Sequence, residues 1–189
     1  MEGVFLAVVG PSGAGKDTLI DAARIRLSGN RQFAFPRRIV TRPAYSGGER
    51  HVAVTTDRFD ALAENGAFVL SWRAHGLRYG IPASICNDLK HGTAIVANLS
   101  RTVLASAAAI FPRMHIVHVT APRELIAARL AARGRETPDV ISERLARDKT
   151  IAVDGVPVTT IHNDHDLNRA IEAFMAALHA ATESTRLRS

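Results

Sequence analysis

The sequence predicts an α/β fold in three layers, α/β/α, with a five-stranded parallel core sheet. Two observations carry the prediction. Apolar runs rich in Val and Ile at residues 4–9, 93–98, 114–120 and 156–162 alternate with segments of helical period, as expected of strands buried on both faces and joined by crossover helices. The first run also leads without a break into a glycine-rich stretch, Gly10-Pro11-Ser12-Gly13-Ala14-Gly15-Lys16-Asp17-Thr18, that opens a helix.

Gly10, Gly15 and Lys16 have the spacing of a P-loop, in which backbone N–H groups wrap polyphosphate oxygens and the lysine meets the outer phosphates. A helix starting at Lys16 directs its N-terminal dipole at the same anion. Leu19, Ala22, Ala23 and Leu27 supply the buried stripe of that helix. The residue after the lysine is Asp17, where the pattern has Ser or Thr, and Thr18 follows one place later. Two readings stand for Asp17. It is a hard oxygen ligand for Mg²⁺ alongside Thr18, or it complements the helix N-terminus for about 0.3–1 kcal/mol. Either way residues 10–18 read as the ATP site, with Mg²⁺ as the accompanying ion.

Beyond the first helix the chain changes character between about residues 35 and 82. Turn residues cluster at 43–48, short β-like runs stand at 38–41 and 51–55, and a helix over 56–64 places Phe59 and Leu62 inward, with Gly66 as its C-terminal cap. This reads as an insertion that carries the second substrate, within one domain, 1–189, whose core is 1–34 and 83–189. The alternation then resumes with helices over 83–91, 101–110, 122–132 and 166–180. Leu167, Ile171, Phe174, Met175 and Leu178 lie on one face of the last. Between residues 133 and 139 the pattern breaks at Gly134, and Thr137 and Pro138 open a further helix to about residue 151.

Of the 24 basic residues only Lys16, Lys90 and Lys149 are lysines, and the net charge is +6. The arginines are dispersed and lack interleaved aromatics, which argues against nucleic acid and for a small, strongly anionic substrate. Two groups stand out. Arg133, Arg135 and Arg144 bracket the 133–139 break, a candidate lid with a Gly hinge, while Arg129 reads as a solvated helix arginine. Arg37, Arg38, Arg42, Arg50, Arg73 and Arg78 all fall in the insertion. The eight histidines give no metal-ligand spacing; His115 and His118 fall on opposite faces of a strand. Asn163 and Asp164 line an adenine pocket or make a turn. A lone Cys86, no apolar run of membrane-spanning length and no leader pattern predict a cytoplasmic protein, monomer or homodimer, with no membrane partner.

Together the P-loop, Thr41-Arg42-Pro43 followed by Gly47 and Glu49, the run 68–82 ending Tyr79-Gly80-Ile81-Pro82, and Arg133-Gly134 resemble guanylate kinase over nearly the whole chain. In that family the Arg of Thr-Arg-Pro and the Tyr before Gly grip the acceptor phosphate, which implies that role for Arg42 and Tyr79. The guanine-reading positions differ: Leu70 replaces a Glu, Ile81 a Ser, and Asn98 and Ser100 stand where two aspartates end a core strand. Arg38 and Arg78 replace a Ser and a Tyr. With Lys-Asp in the P-loop, Leu-Ser-Trp-Arg-Ala-His-Gly-Leu-Arg-Tyr-Gly and Arg-Gly-Arg-Glu, the chain looks like the bacterial ribose 1,5-bisphosphate phosphokinases.

That resemblance implies transfer of the γ-phosphoryl of ATP to a phosphorylated sugar, forming 5-phosphoribosyl 1-diphosphate in phosphonate metabolism. Lys16, Arg133, Arg135 and Arg144 would be catalytic, Arg38, Arg42, Arg78 and Tyr79 would hold the bisphosphate, and Asp17 and Thr18 would serve Mg²⁺. The alternatives are a nucleoside monophosphate kinase of altered base preference and a catalytically silent binding module.

Overall fold

The structure is a computed structural model that describes residues 3–43, 50–132, 151–164 and 166–186. Five parallel strands form the core sheet: β1 (Phe5–Val9), β2 (Phe33–Ala34), β7 (Ala94–Asn98), β8 (Met114–Thr120) and β9 (Val158–His162). Their order across the sheet is β2-β7-β1-β8-β9. The predicted parallel sheet is therefore present, with β1 at its centre. Its edge strand β2 is only two residues long, too short to show a period in the sequence.

All five residues of β1 are buried, and their alternation divides the core into two. Leu6 and Val8 face α1 (Lys16–Arg26) and α6 (Leu167–Arg186), packing with Leu19, Ala23, Phe174 and Leu178. Phe5, Ala7 and Val9 face α3 (Ile85–Lys90) and α4 (Leu104–Ile110), where Phe5 stacks on Phe111 at a centroid distance of 4.0 Å. The predicted helix at 101–110 opens as a 3₁₀ turn, Arg101–Val103, before α4. The last helix runs on to Arg186, and Leu167 at its start is exposed instead of sharing the buried face.

The region between β2 and α3 builds a second sheet, β4 (Val52–Ala53), β3 (Ile39–Val40), β6 (Leu77–Pro82) and β5 (Phe68–Ala74), in that order. The β5–β6 hairpin turns through His75 and Gly76, both at positive φ, 52° and 71°, the backbone of a two-residue turn that follows the strands' twist. Helix α2 (Thr56–Glu64) is capped by the Thr55 side chain and ends in a Schellman arrangement, with Ala67 N–H on Leu62 O and Gly66 at φ 68°. Phe59 is buried against Phe68, whereas Leu62 is half-buried. Val40, Leu70, Trp72, Tyr79 and Ile81 join the α3/α4 side of the main core, so the second sheet is packed onto the first through apolar contact.

The two histidines of β8 are half-buried. His115 Nε2 meets Thr159 Oγ1 on β9 at 2.8 Å, and burial pushes its pKa below the ordinary value of 6.5. The folded state thus favours the neutral imidazole. The stability this confers is complete above about 6.5 and is lost as the pH falls towards the lowered folded value. Urea unfolding is expected to show stability declining on acidification below that point, and His115→Gln should flatten the decline.

Candidate active site

Strand β1 ends at Val9, and the loop it feeds from Gly10 lies at the carboxyl edge of the sheet against β8, α5 and the end of β9, the edge at which parallel α/β sheets bind ligands. A Cβ on Gly10 would run into the Val119 carbonyl, and one on Gly15 into the Asn163 side-chain amide. Gly10 and Gly15 sit at φ 147° and 92°, so only glycine fits at either end of the loop. Lys16 turns back across the loop, its Nζ donating to Gly10 O at 2.8 Å and Pro11 O at 2.9 Å.

The loop is also held from outside. Asn163, buried at the end of β9, donates from Nδ2 to Ala14 O at 2.7 Å, and its own N–H donates to Thr120 O. Its Oδ1 is buried without a hydrogen bond among the described residues, an acceptor left for a donor. Arg129 on α5 (Arg123–Ala132) donates to Gly13 O, Asn163 O and Asp164 O at 3.3–3.4 Å. Arg129 is therefore not the solvated helix arginine its sequence context suggests. Carbonyls are engaged on the outer side of the loop by these two residues, which suits a loop whose N–H groups must face an anion.

Asp17, in the first turn of α1, accepts on Oδ1 from Asn98 Nδ2 at 2.9 Å. Asn98 ends β7, so the carboxylate now stands on the P-loop helix and an amide on the strand. Among the described residues no group of three or more His, Cys, Asp or Glu gathers around a single point. One carboxylate, the exposed Thr18 hydroxyl and substrate phosphates form the sparse oxygen set that suits Mg²⁺, which keeps several of its waters. The residues present fit that ion.

A cleft of about 480 Å³ joins the P-loop to the second sheet, lined by Lys16, Asp17 and Thr18 on one side and by Arg38, Arg42, Trp72 and Tyr79 on the other. Trp72 and Tyr79 are a cross-strand pair whose rings stack 5.3 Å apart. The buried Arg38 guanidinium lies 5.0 Å from the Tyr79 ring centre and 5.7 Å from that of Trp72. Aromatic faces offset part of the cost of desolvating its charge. Arg42 donates from an Nη to His51 Nδ1 at 3.2 Å, while His51 Nε2 meets Arg42 O at 3.0 Å. Because a guanidinium can only donate, Nδ1 is the acceptor in this pair and Nε2 the nitrogen that faces the carbonyl. The Arg42 Nε is buried with no hydrogen bond among the described residues, a donor available to an anion.

Arg78 is not part of this wall. It precedes Tyr79 on β6, so its side chain emerges from the opposite face, where it pairs with Asp60 of α2. Leu70 and Ile81, two positions where the resemblance expects guanine readers, are 6% and 0% exposed and belong to the core. Arg133, Arg135 and Arg144 lie outside the described residues. The sequence reading missed Trp72, His51, His75 and Arg101; His75 and Arg101 also line the cleft, from the hairpin turn and from the 3₁₀ turn after β7. Only the hairpin register places Trp72 beside Tyr79, although the alternation of residues 68–74 could have signalled its face.

A central P-loop strand, a parallel sheet and an arginine-bearing second sheet across the cleft define a P-loop kinase. The fold is that of guanylate kinase from Anaplasma phagocytophilum, with a TM-score of 0.69 and 16% identity over 95% of this chain and 86% of that one. A gluconokinase from Sinorhizobium meliloti shares it less closely, with a TM-score of 0.57. No protein-family model matches the chain. In sequence, the chain is 42% identical to the ribose 1,5-bisphosphate phosphokinase PhnN of Brucella melitensis, over 97% of this chain and 96% of that protein. It is 41% identical to that of Agrobacterium fabrum, over 96% of this chain and 100% of its length. The chain belongs to the ribose 1,5-bisphosphate phosphokinase family. It is also 48% identical to part of a bifunctional ribose 1,5-bisphosphokinase-thymidine phosphorylase of Cupriavidus pinatubonensis, and spans 29% of that protein's length.

The two arginine environments separate by mutation. Replacing His51 with Ala frees Arg42 and should raise the acceptor KM about tenfold with little change in kcat, and His51→Gln should recover part of the loss. Replacing Arg78 with Ala should leave acceptor kinetics within about twofold and lower stability by about 0.5 kcal/mol, as expected for a partly exposed ion pair. Steady-state kinetics and urea unfolding check both.

Proposed function

We propose that the chain transfers the γ-phosphoryl group of ATP to the 1-phosphate of ribose 1,5-bisphosphate, giving 5-phospho-α-D-ribose 1-diphosphate and ADP. The observation that carries this reading is selective retention. Arg42 and Tyr79 face the P-loop across the cleft, whereas two of the positions that would read a base, Leu70 and Ile81, are closed into the core. A buried guanine donor left unpaired costs about 1–3 kcal/mol, and two or three such losses amount to several powers of ten in specificity. The names of the family's curated members point the same way.

In this reading the P-loop amides and Lys16 bind the β- and γ-phosphates, while Arg38, Arg42 and Tyr79 hold the acceptor phosphate in line with the γ-phosphorus. The bond from the γ-phosphorus to the β–γ bridging oxygen breaks as one forms to an oxygen of the 1-phosphate. That oxygen is already ionised, so no general base is required. Lys16 turns from the Gly10 and Pro11 carbonyls to the transferring oxygens, with Arg133, Arg135 and Arg144 assigned to the same charge. Asp17, held by Asn98, and Thr18 would hold Mg²⁺, which would supply neutralisation of phosphate charge when bound. Use of ATP assigns the reaction to the cytoplasm.

Product mass should identify 5-phospho-α-D-ribose 1-diphosphate when ATP is offered with ribose 1,5-bisphosphate, at a kcat/KM at least about a thousandfold above that for GMP. Efficient GMP phosphorylation would establish a nucleoside monophosphate kinase instead. No turnover with any acceptor would leave a binding module. Lys16→Ala should remove activity from a folded protein, because its charge is used mainly as the phosphoryl group transfers.

A further inference from the structure

Beside the reaction cleft lies a second cavity of about 340 Å³, between α1 and the segment that links β2 to β3. It shares Asp17, Arg38 and Asn98 with the reaction cleft, so the two adjoin at the P-loop helix. Four arginines line it, Arg24, Arg37, Arg38 and Arg50, against two carboxylates, Asp17 and Asp21. Both carboxylates are occupied. Asp21 takes the Arg24 guanidinium at 2.9 Å, and Asp17 takes the Asn98 amide. Arg37 and Arg50 are exposed, and neither pairs with another described residue. The rest of the wall is partly apolar, including Ile20, Phe35 and Val96. A cavity with surplus guanidinium groups and an apolar flank suits a phosphate carried on a small carbon skeleton.

We infer that this side cavity is the subsite for the second phosphate of the acceptor, the one that does not react, and that Arg37 and Arg50 determine specificity for a bisphosphate over a monophosphate. The assignment rests on the reaction proposed above and deepens it. Arg38 lines both cavities, so an acceptor whose reacting phosphate lies beside Arg42 and Tyr79 can pass its other end over Arg38 into the side cavity. A pentose with a phosphate at each end has the required shape. Arg38 is thereby placed to touch both phosphates, Arg37 and Arg50 only the distal one.

The test is a cycle of variants against acceptors. Arg37→Ala, Arg50→Ala and the double variant are assayed with ribose 1,5-bisphosphate and with ribose 1-phosphate, which lacks the distal group. Both positions are exposed, and thermal unfolding checks that the variants fold. Each substitution should lower kcat/KM for the bisphosphate roughly tenfold to a hundredfold, mostly through KM, and for ribose 1-phosphate by less than about threefold. Ribose 5-phosphate should inhibit the wild type competitively against the bisphosphate, with its Ki weakened to a similar extent in the double variant. Equal losses on both acceptors, or no loss on the bisphosphate, would overturn the subsite while leaving the reaction standing. A wild type that phosphorylates GMP but not the bisphosphate would remove the reaction and the subsite together.

Discussion

The rest of the structure depends on one constraint, that a chain reversal at the end of β1 must present N–H groups to an anion while its carbonyls go elsewhere. Glycine meets the conformational part, since a side chain at Gly10 or Gly15 would collide with Val119 or Asn163. The hydrogen-bonding part is met from the far side of the sheet. Asn163 at the end of β9 and Arg129 on α5 together reach Gly13 and Ala14. Lys16 holds Gly10 and Pro11. A loop held from outside at Gly13 and Ala14 is preorganised for phosphate, and preorganised donors are the main catalytic resource for phosphoryl transfer.

Charge is arranged around that loop with few acids. Asp17 stands on the P-loop helix and Asn98 on the strand, so among the described residues a single carboxylate lines the reaction cleft, oriented by a neutral donor. A second carboxylate at Asn98 would add like-charge repulsion beside Asp17. Arg38 illustrates the complementary problem, a nearly buried guanidinium. Its position over the Tyr79 and Trp72 rings helps hold a planar cation on the wall that the two cavities share.

The cleft wall opposite the P-loop follows from the two-residue period of a strand. On β6, Leu77, Tyr79 and Ile81 share one face and Arg78 the other, and the β5–β6 register brings Trp72 opposite Tyr79. Farther along the hairpin, Leu70 and Ile81 are absorbed into the core that fixes the second sheet to the first. At the two positions Leu70 and Ile81, apolar packing fixes the second sheet and holds this wall of the cleft in place.

By itself the sequence determined the local features. Glycine spacing defined the phosphate loop, apolar period defined β8 and α2 to the residue, and Gly66 marked the end of α2 through hydrogen bonds made within a few residues of each other. These are properties of short stretches of backbone, so they can be read from neighbours along the chain. Tertiary structure alone decided what depends on distant pairing. A two-residue β2 exists because β7 offers its edge, Arg129 is drawn to the P-loop because β9 ends beside it, and Arg78 is lost to Asp60 because α2 covers that face of the hairpin. Two adjacent arginines or an Arg-Tyr pair look alike as letters; only the face each side chain occupies decides which of them meets the substrate.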